Sequence, residues 1–338
     1  MIFSKVSERN RVIIAVVLFV VLFGVMLTMA SLYDLDVSKI LTKGVLEDGN
    51  YLASDVFGVG LEIFGSSPVY IIAGVCLALV CLYIFRFLKL RPMREILAVI
   101  FFAGTVVAFW FFFDDIFKYI AEHTRSEDTY IEAAMTFVAV LCALLASGTV
   151  VLALNNVKDD TLKKLMKFVL AFIVMAALAN LIVAIVKGPV GRMRFRAMNS
   201  SGDTEFSGFT AWYVMNGKRT PTAEEMAAYG WASDAFKSFP SGHTCAAGMT
   251  YALMMLPDVL KIKNKQARAL CWIFPVVFTG LVAVSRIMVG AHYFSDVLVG
   301  GTLAFVSMLI AREIFVCKFS HFMCFKKDYV PAIEDDAE

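Results

Sequence analysis

About eight apolar runs, at roughly 12–32, 69–85, 95–113, 131–154, 165–186, 243–260, 270–289 and 293–315, leave this chain few ways to fold. Each is close to the length at which a helix crosses a hydrocarbon core of ~30 Å, and lipid offers the backbone no outside hydrogen-bond partner. Composition agrees. Of 338 residues, 59% are hydrophobic and only 18% are charged, with mean hydropathy +0.74, whereas ordinary soluble domains carry about 25% charged residues. A soluble globule is excluded. The expected fold class is all-α, a polytopic membrane helical bundle.

Charge placement predicts how the runs are threaded. Lys5, Arg9 and Arg11 precede the first run, which is too long for a signal-peptide core and reads as an uncleaved span. Arg86, Lys89, Arg91 and Arg94 separate runs two and three, and Lys158, Lys163, Lys164 and Lys167 separate runs four and five. Lys261, Lys263, Lys265 and Arg268 lie between runs six and seven, and Arg312, Lys318, Lys326 and Lys327 close run eight. These groups hold most of the 31 Lys and Arg residues and fall on alternate connections, so the positive-inside rule makes that side cytoplasmic, with both termini. The segment 33–67, with Asp34, Asp36, Asp48 and Asp55, reads as an exposed, partly helical loop on the other side. The tail after Lys327 is acidic and reads as disordered. The seven cysteines form no CxxC pair and mostly lie in apolar runs, which points to packing rather than to metal binding or disulfides.

Three polar clusters break this pattern, because they place cations on the outward side. The first is Lys187, at the end of run five, followed by Arg192, Arg194 and Arg196 after Gly188, Pro189 and Gly191. Basic residues at a helix end ordinarily reach for headgroups, but four of them beside a glycine-proline turn also suit an anion. The second is Ser238-Phe239-Pro240-Ser241-Gly242-His243-Thr244, which opens run six with capping serines and a proline. A capped helix start with an incidental histidine is one account. The other is a phosphate site at the helix terminus, with Gly242 admitting close approach, the Ser241 hydroxyl donating and His243 alongside. The third is Ser285-Arg286 at the end of run seven, a turn at Gly290, then His292 and Asp296. Their i, i+4 spacing puts both on one helical face. A structural Arg286–Asp296 ion pair is the plain alternative, since charges near lipid are costly unless paired. All three clusters fall on one predicted side, at the ends of four runs.

Together the clusters resemble the type 2 phosphatidic acid phosphatase (PAP2) superfamily, membrane lipid phosphatases related in core fold to vanadium haloperoxidases. The family pattern K-x6-R-P, P-S-G-H, S-R-x5-H-x3-D appears here as Lys187-x6-Arg194-Phe195, Pro240-Ser241-Gly242-His243 and Ser285-Arg286-x5-His292-x3-Asp296. Only Phe195 departs from it, and the loss of proline is expected to loosen the turn after Arg194, with Arg192 or Arg196 available to share its task. The resemblance implies a six-helix catalytic core over 95–316, a two-span extension over 1–94 and a cytoplasmic tail over 317–338.

The resemblance also implies roles. His292 would be the nucleophile, forming a phosphohistidine, and Asp296 would hold its other ring nitrogen. His243 would protonate the leaving oxygen and then activate water. Lys187, Arg194, Ser241, Gly242 and Arg286 would hold the phosphate oxygens. No metal and no cofactor is implied. The expected activity is hydrolysis of a lipid phosphate or isoprenyl diphosphate at the extracytoplasmic face of a plasma or inner membrane, with the bilayer and lipid phosphate as partners and no nucleic acid. Alternatives are a lipid phosphotransferase and a non-catalytic lipid-phosphate binder or transporter. Trp212 and Tyr213 are placed over the pocket, at the interface, or packed within the loop.

Overall fold

A computed structural model describes residues 8–42, 56–124 and 129–319. Lys43, Asp48, Asp55, Cys324 and the acidic tail lie outside the described residues. Among the described residues the chain is helical without strands. Its elements are α1 (Glu8–Thr42), α2 (Val56–Gly65), α3 (Ser67–Phe87), α4 (Arg91–Thr124), α5 (Thr129–Leu154) and α6 (Asp159–Val190). Then come the short α7 (Phe195–Ser200) and α8 (Ala223–Tyr229), α9 (Gly242–Ala247), a 3₁₀ stretch (Gly248–Met255), α10 (Leu256–Leu260), α11 (Lys265–Met288) and α12 (Phe294–Phe315). The all-α bundle is as expected.

Seven helices among the described residues are long and apolar enough to cross a membrane, against about eight expected. The difference is the sixth run. Residues 242–260 form one continuous helical rod, but it changes from α to 3₁₀ and back. The 3₁₀ rise of ~2.0 Å per residue lengthens the rod to roughly 32 Å. It is also well enclosed: Cys245, Met249, Ala252, Met254, Met255 and Val259 are buried in the main core against Phe168, Phe172, Met175, Ala304 and Met308 of α6 and α12. A glycine at 248 permits that approach, since a Cβ there would stand 2.5 Å from the Ala304 Cβ.

The 33–67 segment differs more. It is not an exposed loop at its start, because α1 continues unbroken to Thr42. Asp34, Ser38 and Thr42 are buried on one face of it, where the Ser38 and Thr42 hydroxyls donate to carbonyls four residues back. Leu35 packs on the Phe195–Met198–Tyr293 cluster. Burial of that face explains why a run containing acidic residues stays helical.

Among the described residues, Arg86 and Arg312 tie helix ends together. Arg86 donates to the carbonyls of Val157 and Asn155 and pairs with Asp159 at 3.0 Å, joining α3 to the α5–α6 turn. Arg312 pairs with Asp258 at 2.6 Å, tying α12 to α10. The described cysteines are free.

Candidate active site

Helix ends build the site. α6 stops where Gly191 adopts a left-handed conformation (φ +54), a position that favours glycine. The last carbonyls of α6 are taken by the next loop: Val190 O accepts from Asn216 N, and Pro189 O from Gly217 N, both at 3.0 Å. The loop therefore folds back over the helix end and leaves Lys187 in the last turn facing α9. Lys187 Nζ stands 3.4 Å from where a Cβ on residue 242 would be, so Gly242 keeps the approach open. The Lys187 ammonium makes no hydrogen bond or ion pair among the described residues, and lies within electrostatic reach of Arg194, Asp234 and Asp296.

Arg194 pairs with Asp234 of the loop at 2.7 Å, and its backbone N–H donates to Ala235 O at 2.8 Å. Burial pushes the Asp234 carboxyl up, but Arg194, Arg196, His292 and Lys187 together outweigh this and hold it below the usual carboxylate range. The replaced family proline turns out to be well accommodated. Phe195 is the first residue of α7, where proline's missing N–H costs nothing and phenylalanine loses nothing. Its ring stacks on Phe206 at 5.1 Å and meets Tyr293 edge-on at 6.5 Å. The turn is packed rather than loosened.

At the start of α9, Ser241 is the N-cap, fully buried, accepting from Thr244 N at 3.3 Å with the Thr244 hydroxyl 3.0 Å away. The capping account of this residue therefore holds. When Thr244 donates, the Ser241 proton remains available to a further acceptor. His243 Nε2 lies 2.8 Å from the Tyr119 hydroxyl of α4. Titratable groups within electrostatic reach of His243 include Arg286, Glu62, His292 and Arg194.

The α11–α12 turn places the third cluster. Gly290 has positive φ (+64), and the N–H groups of Ala291 and His292 both donate to Arg286 O. Arg286 does not pair with Asp296. Its guanidinium donates to Gly58 O at 2.8 Å and pairs with Glu62 at 2.7 Å, both on α2; Glu62 also stands 3.7 Å from Arg196.

The support of His292 departs from expectation. Its Nδ1 is 2.6 Å from the Ser238 carbonyl, while Asp296 Oδ2 is 3.7 Å away, within ion-pair range but too long for a hydrogen bond. Asp296 is saturated elsewhere. Oδ1 accepts from Arg192 at 2.7 Å, and Oδ2 accepts from Ser238 Oγ at 2.5 Å and from Tyr293 N at 2.9 Å. The carboxylate thus holds the residue that holds the histidine. A carbonyl can only accept, so Nδ1 carries the proton and the neutral ring leaves its lone pair on Nε2. Burial lowers the His292 pKa to about 4, which keeps the ring neutral near pH 7.

Arg192 does not share the task of Arg194, because it is fully buried and bound by Asp34 and Asp296. Trp212 packs inward: Nε1 donates to Ser31 Oγ of α1 at 2.9 Å and the ring stacks on Phe239. Tyr213 is exposed. The sequence reasoning missed Asp34, Glu62 and Tyr119 as neighbours of the site, and the part the Ser238 carbonyl plays in it. A lone Glu62 in the apolar stretch Val56–Gly65 was the available signal; nothing in the sequence marked Tyr119. Among the described residues, no group of three or more His, Cys, Asp or Glu forms a metal-binding cluster.

The family comparison bears on the same elements. Residues 168–319 match the family model described as the PAP2 superfamily. That match is consistent with a PAP2 superfamily member. The matched span runs from within α6 past α12 and contains all three motifs, while α1–α5, with Asp34, Glu62 and Tyr119, lie outside it. No curated protein and no solved structure matches the chain. The PAP2 match suggests phosphatase activity on phosphate esters, and the seven apolar helices among the described residues support membrane association.

Proposed function

We propose that this protein hydrolyses the phosphate of a lipid phosphate or isoprenyl diphosphate at the extracytoplasmic membrane surface, through a phosphohistidine. The observation that carries this is the His292 Nδ1 contact to Ser238 O at 2.6 Å. A binder or transporter needs cations, but has no use for an imidazole whose tautomer is fixed with a bare Nε2.

In this scheme Nε2 of His292 attacks phosphorus and the bond to the leaving oxygen breaks. That oxygen takes a proton from His243. Water then attacks phosphorus, giving its proton to His243 as the P–N bond breaks, and the Nδ1 proton stays in place throughout. Lys187, Arg194, Arg286, the Gly242 amide and the Ser241 hydroxyl stabilise the oxygens. Arg286 reaches the phosphate while keeping Glu62 as its counter-charge, and Tyr119 aligns His243. The catalytic core runs over 95–316, and the first two spans supply carboxylates behind it.

The test is phosphate release by purified protein over a panel of lipid phosphates and diphosphates. His292→Ala and His243→Ala should each abolish release with the protein still folded, and unchanged release by both variants refutes the assignment. Transfer to an added lipid alcohol in preference to water would instead make the enzyme a phosphotransferase.

A further inference from the structure

One fully buried charge near the site, Arg192, is not a signature position of any of the three motifs. It sits between two carboxylates from different ends of the chain. Its NH1 donates to Asp296 Oδ1 at 2.7 Å and to Ser295 Oγ at 2.8 Å, while NH2 donates to Asp34 Oδ2 at 2.9 Å. Its Nε donates to Thr210 O at 2.8 Å, and the guanidinium lies 4.0 Å from the centre of the Tyr293 ring. Asp34, on α1, also accepts from Ser295 N at 2.7 Å and from the Ser295 hydroxyl.

Two consequences follow from this arrangement. The first is aim. Arg192 fixes Oδ1 of Asp296, Ser238 Oγ and Tyr293 N fix Oδ2, and the Ser238 carbonyl then holds His292 Nδ1. A connected chain of polar contacts runs from α1 to the proposed nucleophile. The second is charge. A guanidinium facing Asp296 alone would cancel the carboxylate behind His292, and buried charges are weakly screened. With Asp34 as a second partner, the trio keeps one net negative charge to set against the cation that forms when His292 takes the phosphoryl group.

We infer that Asp34 and Arg192 are a positioning pair for phosphoryl transfer, giving His292 both its aim and a negative field through Asp296 and Ser238; this rests on the hydrolytic function proposed above. Neither residue touches substrate. α1, outside the matched family segment, becomes a working part of the site. The competing account is a clasp that only fastens α1 to α12. It predicts lost stability without selective loss of the chemical step.

Asp34→Asn keeps the shape and removes the charge, and Asp34→Glu restores the charge. In the full chain purified in detergent, Asp34→Asn should lower kcat by about 10- to 100-fold with KM within about 2-fold. The rise in melting temperature on adding inorganic phosphate should match wild type, and Asp34→Glu should recover part of kcat. Unchanged kcat, a KM that rises in step with the loss, or a vanished phosphate-induced rise overturns the proposal. Should Asp34→Asn fail to fold, Ser295→Ala removes one hydroxyl shared by the pair. A fall in kcat at constant KM supports the pair, and wild-type kcat overturns it. An inactive wild type, or an active His292→Ala, sinks the hydrolytic function itself, whereas wild-type turnover by Asp34→Asn sinks only the pair.

Discussion

A histidine becomes a nucleophile through what its second nitrogen touches, and here that partner is a backbone carbonyl. The consequence is a definite pH response. Burial lowers the pKa of His292 to about 4, and the ring must be neutral to attack. The acid limb of kcat/KM should therefore lie near pH 4, with the alkaline limb set by loss of the proton from His243. Steady-state kinetics across pH 3.5–9 checks this, and a flat profile across pH 5–8 counts against two histidines in these roles. Phe195 offers a second residue-scale test. Arg194 has extended backbone (φ −74, ψ 147), as the residue before a proline requires, so Phe195→Pro fits the chain path. It forfeits the stacking on Phe206 and the edge contact with Tyr293, and should cost about 2 kcal/mol of stability while phosphate release persists.

Among the elements, the junction of the 242–260 rod with α12 controls where His243 stands. Ser241 N donates to Asp296 O at 3.0 Å, and a Cβ on Gly300 would fall 2.4 Å from the Ser241 carbonyl. Gly300→Ala should push the rod off α12, lower the melting temperature and reduce phosphate release by about 10-fold or more. Gly301→Ala is the control: its Cβ would meet Thr244 at 3.6 Å, an ordinary contact, and activity should stay near wild type. Wild-type behaviour of both variants would show that the junction is softer than its geometry implies. At the end of α6, Gly191→Ala meets both a positive φ and the Gly217 carbonyl at 1.9 Å. It should unseat the loop that covers Lys187.

For the whole molecule, the buried neutral His292 links folding to pH. Its folded pKa, about 4, is depressed from 6.5, so below pH 6.5 the unfolded chain binds the proton that the folded chain refuses. The stability from this group is fully present above pH 6.5 and is lost as pH falls toward 4. Melting temperatures in detergent should decline over that window, and the decline should shrink in His292→Gln. Topology is tested by membrane-impermeant maleimide on single added cysteines. Tyr213→Cys, on the exposed loop, should label in intact cells, and Lys163→Cys, exposed at the opposite bundle end, only after permeabilisation. The reverse pattern would move the site to the cytoplasmic face.

Length and periodic hydropathy settle the class of fold because lipid imposes its rule on each helix separately; no packing knowledge is needed to read a run such as 165–186. Motif spacing likewise places Lys187, His243 and His292 at helix ends, since each motif is local. Contacts between distant segments have no such local mark. Asp34 looks like one more acid in a polar stretch until α1 docks, and Arg192 looks like a spare cation until it is seen between Asp34 and Asp296. The identity of the His292 partner depends on an ångström of difference between a Ser238 carbonyl and an Asp296 carboxylate. The sequence determined which groups stand at helix ends. Tertiary packing decided which of them touch, because only the folded chain brings α1, α2 and α4 against helix ends far along the sequence.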